Sequence, residues 1–146
     1  MELLTVMGIM MLMMGIGLTS WFGIRRGAEM RGAVGGVRTT LLLARQQAVT
    51  KRFKVTVSFN SDSSGDYMNT KATSYNGTNN VHATVYLPKG VKFTNYVSSI
   101  TFTPVGNVNA AGPQEVSLVE LVKQKATDPD TRKITVWPLT GVTKVE

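Results

Sequence analysis

LLTVMGIMMLMMGIGLTSWFGI, residues 3–24, contains no charged side chain. Glu2 stands directly before it, and Arg25 and Arg26 directly after it. A bilayer-crossing helix needs about 20 mainly apolar residues, and this run is long enough. Five of the eight methionines (Met7, Met10, Met11, Met13 and Met14) fall inside it. Methionine is flexible and fills irregular gaps, which suits a surface that packs against several neighbours. A cleaved signal peptide has a basic start, an apolar core of about 7–15 residues and a small-residue cleavage site. Here the start is acidic, the run is longer, and no such site follows. That leaves a membrane anchor or a helix packed in the core of a filament. Gly8, Gly15 and Gly17 interrupt the run, and each weakens a helix interior by about 1 kcal/mol relative to Ala. Gly15 to Gly17 is therefore the expected place for local unwinding.

The helical pattern continues past Ile24. Met30, Val34, Val37, Leu41, Ala44 and Ala48 recur at spacings of three and four, the mark of an apolar helical stripe. Arg31, Arg38, Arg45, Gln46 and Arg52 lie off it. No proline occurs in residues 1–87. The pattern predicts one helix from about residue 2 to about residue 51, bare in its first half and amphipathic in its second.

From Phe53 the period changes to two. Phe53, Val55, Val57 and Phe59 alternate with Lys54, Thr56 and Ser58, which predicts a half-buried strand. Residues 60–66 (NSDSSGD) read as a loop, and 67–75 as a weak strand. Asn76-Gly77 is a hairpin-turn dipeptide. Further short strands are expected at 81–87, at Val91 and Phe93, at Ile100 and Phe102, from Val116 to Val122, and at Ile134 and Val136. Residues 104–113 and 126–131 read as connections, and Val142 and Val145 close the chain. The fold class is α+β: a long N-terminal helix with a protruding apolar half and an amphipathic half packed on an antiparallel β-sheet head. Residues 1–26 form the apolar half, and residues 27–146 form the head with the amphipathic half.

Composition narrows the function. The net charge is +7, but residues 1–54 hold eight of the sixteen cations and only two of the nine acids. The head is close to neutral, which argues against a nucleic-acid grip there. With no cysteine, disulfides, thiolate metal sites and cysteine catalysis are excluded. His82 is the single histidine, so a zinc site or a Ser-His-Asp triad of the usual kind has no basis. Asp62, Asp66, Asp128 and Asp130 sit in turn-like segments and read as turn chemistry before metal ligation. Asn76-Gly77-Thr78 matches a glycosylation sequon and equally a turn. There is no Gly-rich phosphate loop and no nucleophile elbow. The chain reads as a non-enzyme without cofactor or metal.

Glu2-Leu3-Leu4-Thr5-Val6-Met7-Gly8-Ile9 resembles the opening of the helix in type IV pilins and type II secretion pseudopilins. In that family an N-methylated aromatic residue and a few apolar residues precede a lone glutamate. Residues 33–59, with Leu43-Ala44-Arg45-Gln46-Gln47-Ala48-Val49 at their centre, are similar to the H-type pseudopilins and T-type minor pilins. Ile100 to Gly106, Lys133 to Val136 and Gly141-Val142 fit the same subgroup. Three departures stand out. The family's leader with its cleavage glycine is not among these residues. The frequent mid-run proline is replaced by Gly17-Leu18-Thr19-Ser20. The basic C-terminal motif of DNA-binding T-type pilins is reduced to Gly141-Val142-Thr143-Lys144. Arg25 and Arg26 would face the cytoplasm by the positive-inside rule; the pilin topology puts them outside and needs a basic leader upstream.

The resemblance implies a pilin fold and a structural subunit of a type IV pilus-like or pseudopilus filament, built as a homopolymer or with other pilins. The subunit would sit in the inner membrane before assembly and at the cell surface or in the periplasm afterwards. Glu2 would pair with the N-terminal amine of a neighbouring subunit. Leu3, Leu4, Val6, Met7, Gly8, Met10, Met11, Met14, Gly15 and Gly17 would pack the filament core. Arg25, Arg26, Glu29 and Arg31 are candidates for inter-subunit salt bridges. The alternatives are a DNA-binding minor pilin for DNA uptake and an anchored surface domain that never polymerises.

Overall fold

The computed structural model describes residues 2–73, 79–120 and 131–146, with side-chain surroundings assigned except at residues 2, 16–27, 79–82 and 120. Helix α1 (Glu2–Lys51) is continuous. The expected unwinding around Gly15 to Gly17 does not occur. Glycine keeps its N–H, so the i to i−4 ladder survives there; proline, which would break it, is absent. The helix stops at Arg52, whose φ of 55° places it in the left-handed region, the conformation of a helix C-cap.

Eight strands follow: β1 (Lys54–Asp62), β2 (Gly65–Thr73), β3 (Asn79–Tyr86), β4 (Val91–Tyr96), β5 (Ser99–Phe102), β6 (Gln114–Glu120), β7 (Thr131–Val136) and β8 (Thr143–Val145). They form two four-stranded antiparallel sheets, not one, ordered β3-β2-β1-β5 and β4-β6-β7-β8. The chain passes from the first sheet to the second before β4, back at Val97-Ser98, and over again before β6. Strand alternation specifies which face is buried, but not which edges pair.

Residues 60–66 differ from expectation. β1 and β2 run on to the pair Asp62↔Gly65, leaving a two-residue turn. The Asp62 carboxylate accepts the N–H groups of Ser64 (2.7 Å) and Gly65 (3.1 Å), and Gly65 supplies φ 133°. A side chain that satisfies the turn's donors lets both strands extend to its edge. The later part of the expected 116–122 strand and the 126–131 turn lie mostly outside the described residues, as does the Asn76–Thr78 sequon.

The core is one cluster. Met30, Ala33, Val37, Leu41, Ala44 and Ala48 of α1 are buried against Val55, Val57 and Phe59 of β1, Met68 and Ala72 of β2, Ile100 and Phe102 of β5, and Val116, Leu118, Ile134 and Val136 of the second sheet. Alanines at three of these six helix positions let strands of both sheets approach the helix backbone. Fully burying one Val- or Leu-sized side chain is worth about 1.5–3 kcal/mol.

Two contacts join the sheets at the end remote from the helix C-terminus. Phe59 of β1 meets Phe93 of β4 edge to face, with centroids 5.3 Å apart and planes at 81°. Asp66, expected in a loop, is a buried carboxylate on β2. It accepts the Phe93 N–H at 2.6 Å and the Ser61 hydroxyl at 2.6 Å, while its own carbonyl accepts the Leu87 N–H at 2.9 Å. Asp66→Ala strands the Phe93 N–H inside the protein, a loss of about 1–3 kcal/mol. The variant is expected to unfold at correspondingly lower urea, with an unchanged m-value.

Candidate assembly surface

The helix falls into two halves with opposite fates. Beyond about residue 28 its apolar stripe is covered by the head. Before Gly15 nothing of the chain covers it. Leu3, Leu4, Val6, Met7, Met10, Met11 and Met14 are between 51% and 76% exposed. Apart from the adjoining helix backbone, no atom lies within 4 Å of where a side chain on Gly8 or Gly15 would begin. An apolar surface of this extent is not left in water by an isolated protein. Among the described residues, no helix is long and apolar enough to cross a membrane; the described side chains of this half run only from Leu3 to Gly15.

Glu2 is the first residue of α1. A carboxylate there sits at the positive end of the helix dipole. The side-chain surroundings of Glu2, Gly17, Arg25 and Arg26 lie outside the described residues. Arg31 is exposed on the helix. Glu29 faces its own head: one carboxylate oxygen lies 2.6 Å from where a Cβ on Gly90 would stand. The Pro88–Gly90 turn therefore accommodates this side chain within one chain.

Arg45, which lies off the apolar stripe, is tied into the head. Its Nε donates to the Gly106 carbonyl at 3.1 Å. Gly106 (φ 87°) and Gly141 (φ 61°) both adopt left-handed backbone beneath it. A Cβ on Gly141 would run into the Gly106 carbonyl and come within 3.0 Å of Arg45 Nε. This knot joins α1, the loop after β5 and the loop before β8. The same two loops wall a groove of about 570 Å³ that includes Val108, Pro113, Trp137 and Leu139. Leu139 in its wall is 89% exposed, and Val105, in the loop after β5, is 86% exposed. Sequence reading missed this groove, because its residues come from two distant loops.

The remaining candidates resolve simply. Asp62 serves its turn and Asp66 joins the sheets, as described above; Asp128 and Asp130 and the side chain of His82 lie outside the described residues. Among the described residues no three His, Asp or Glu side chains are grouped to hold a metal. At the C-terminus, the hydrogen bond and charge of Lys144, 2.5 Å away, hold the exposed Glu146 carboxyl below its ordinary pKa.

A long helix half-sheathed by antiparallel sheets is the pilin type of fold. The family described as type II transport protein GspH matches residues 33–139, and the chain belongs to that family. Among solved structures it is similar to the type IV minor pilin FimU of Pseudomonas aeruginosa, with 16% identity and a TM-score of 0.64 over 82% of this chain and 89% of that one. It is also similar to EpsH, the minor pseudopilin of the type 2 secretion system of Vibrio cholerae. There the identity is 13% and the TM-score 0.58, over 81% of this chain and 96% of that one. At these identities the two structures share the fold. Among curated proteins none matches.

Gly141→Val forces a branched side chain into left-handed backbone and into the Gly106 carbonyl. Such strain is worth about 1–3 kcal/mol, and a lower Tm is expected in thermal unfolding. Loss of the Arg45 anchor should follow, read as a changed NMR shift for the Gly106 carbonyl carbon.

Proposed function

We propose that this chain is a structural, non-enzymatic subunit of a pilus-like or pseudopilus filament, assembled through the first half of α1. The observation that carries the reading is the contrast within one helix: a stripe from Met30 to Ala48 buried by its own head, and a charge-free stretch, Leu3 to Gly15, left bare. Family membership and the FimU and EpsH folds support it.

In this reading residues 1–26 hold the subunit in the inner membrane before assembly and pack against the same segments of other subunits afterwards. Removing the exposed side chains of Leu3 to Met14 from water drives the packing, at about 25 cal/mol per Å². Gly8 and Gly15 let helix backbones approach closely. Glu2 sets the register. A carboxylate carried into an apolar helical bundle is costly unless it meets a cation, and the N-terminal amine of a neighbouring subunit is the cation at hand. An out-of-register helix leaves the charge unpaired. The head then forms the filament surface or its tip.

Electron microscopy of sheared surface or periplasmic material tests this. Glu2→Ala is expected to reduce filament number by at least tenfold while the subunit accumulates in the membrane fraction. Undiminished filaments with Glu2→Ala, or an untagged wild-type chain found only as a monomer, would sink the proposal.

A further inference from the structure

The groove between the loop after β5 and the loop before β8 has fixed walls. The Val108 N–H donates to the Pro138 carbonyl at 2.8 Å, and the Asn109 N–H to the Thr101 carbonyl at 2.9 Å. The turn of residues 138–140 is closed by the Trp137 N–H on the Val142 carbonyl (3.0 Å) and the Gly141 N–H on the Trp137 carbonyl (2.8 Å). Arg45 holds the first loop from beneath through Gly106. The groove therefore exists before any ligand arrives, and its volume of about 570 Å³ is that of a site for a small organic ligand.

Its lining carries no charge. None of the ten residues that line it is Asp, Glu, His, Lys or Arg, in a chain with 16 cations and 9 acids. A charged ligand would leave water for walls that offer no counter-charge. Nucleic acids, acidic peptides and sulfated polymers are disfavoured on that ground, and a neutral ligand fits. The lining is not purely apolar either, because three uncharged donors remain in it. The Trp137 indole N–H makes no hydrogen bond among the described residues. Asn107 Oδ1 accepts the Thr103 hydroxyl, which leaves the Asn107 NH2 group. Thr140 Oγ1 accepts the Val142 N–H at 3.4 Å, which leaves the Thr140 O–H. Covering these donors with hydrocarbon alone would leave them unsatisfied and oppose binding.

The ligand that suits this lining is neutral, has a face of C–H groups, and carries oxygen acceptors along its edge. A pyranose ring has all three: its axial hydrogens form an apolar face that stacks on an indole, and its ring and hydroxyl oxygens surround that face. Trp137 is 49% exposed and is the single aromatic residue of the lining. Proline-rich peptides dock on grooves walled by several aromatic rings, which one ring does not supply. A peptide added as a strand needs an open strand edge, and the lining backbone belongs to loops. Arg45, beneath the groove, lies 30 positions beyond Gly15, about 45 Å along α1, so ligand binding and the bare stretch do not compete for one surface.

We propose that the groove between Asn107 and Leu139 binds an uncharged oligosaccharide. One sugar ring stacks on Trp137, and oxygens of that ring or its neighbours accept from the indole N–H, the Asn107 NH2 and the Thr140 hydroxyl. The inference goes beyond the filament reading and does not rest on it: binding belongs to the head, whether or not the subunit polymerises.

The test uses the full chain in phosphatidylcholine nanodiscs, which carry no sugar headgroup. The indole N–H resonances of Trp21 and Trp137 are followed by NMR as cellopentaose, maltopentaose or chitopentaose is added. At least one of the three should shift the Trp137 resonance saturably and leave that of Trp21 in place. Trp137→Ala should weaken binding, measured by calorimetry, by roughly tenfold or more, and Trp137→Phe, which keeps an aromatic face, should lose less. Ala111→Arg sets a long charged side chain at an exposed position of the lining and should block binding with an unchanged Tm. It keeps the test decisive if Trp137→Ala lowers the Tm. The inference is overturned by no saturable shift with any of the three sugars, by undiminished binding in Ala111→Arg, or by a Phe variant as weak as the Ala variant. Tighter binding of a decaproline peptide or a DNA duplex than of the sugars overturns it too.

Discussion

The burial of one stripe of α1 against two sheets is the contact on which the rest of the molecule depends. Met30, Ala33, Val37, Leu41, Ala44 and Ala48 present a narrow apolar edge, half of it alanine. A single flat sheet would cover one side of such an edge. Two sheets, each twisted in the usual sense, cover it from both sides. The junction between them must then be closed by other means. The Phe59–Phe93 ring contact and the Asp66 carboxylate close it at one end, and the Arg45–Gly106–Gly141 knot closes it at the other.

That arrangement explains why the helix is half bare. The sheets reach only as far as their strands, about 3.3 Å per residue, and the strands here have at most nine residues. A helix of 50 residues spans about 75 Å. The head covers roughly its second half, and the first half extends beyond any strand. Hydrophobic surface left uncovered in this way is a driving force for association. One chain has no means of satisfying it.

The sequence alone determined the helix and its inward stripe. The 3.6-residue period from Met30 to Ala48 and the period-two alternation from Val55 to Phe59 are strong local signals, and both elements form where expected. The family was legible in Leu43 to Val49, inside the residues that its model matches. Three things were decided by tertiary structure. The splitting of the strands into two sheets depends on which edges pair, and alternation is the same for either pairing. Asp66 and Arg45 looked like ordinary polar residues of a turn and a helix surface. Their partners, Phe93 and Gly106, lie 27 and 61 positions away. Val108, Trp137 and Leu139 line one apolar groove only because two loops meet there. Periodicity reports what a residue's own element does; it carries no information about which distant backbone group will stand beside it.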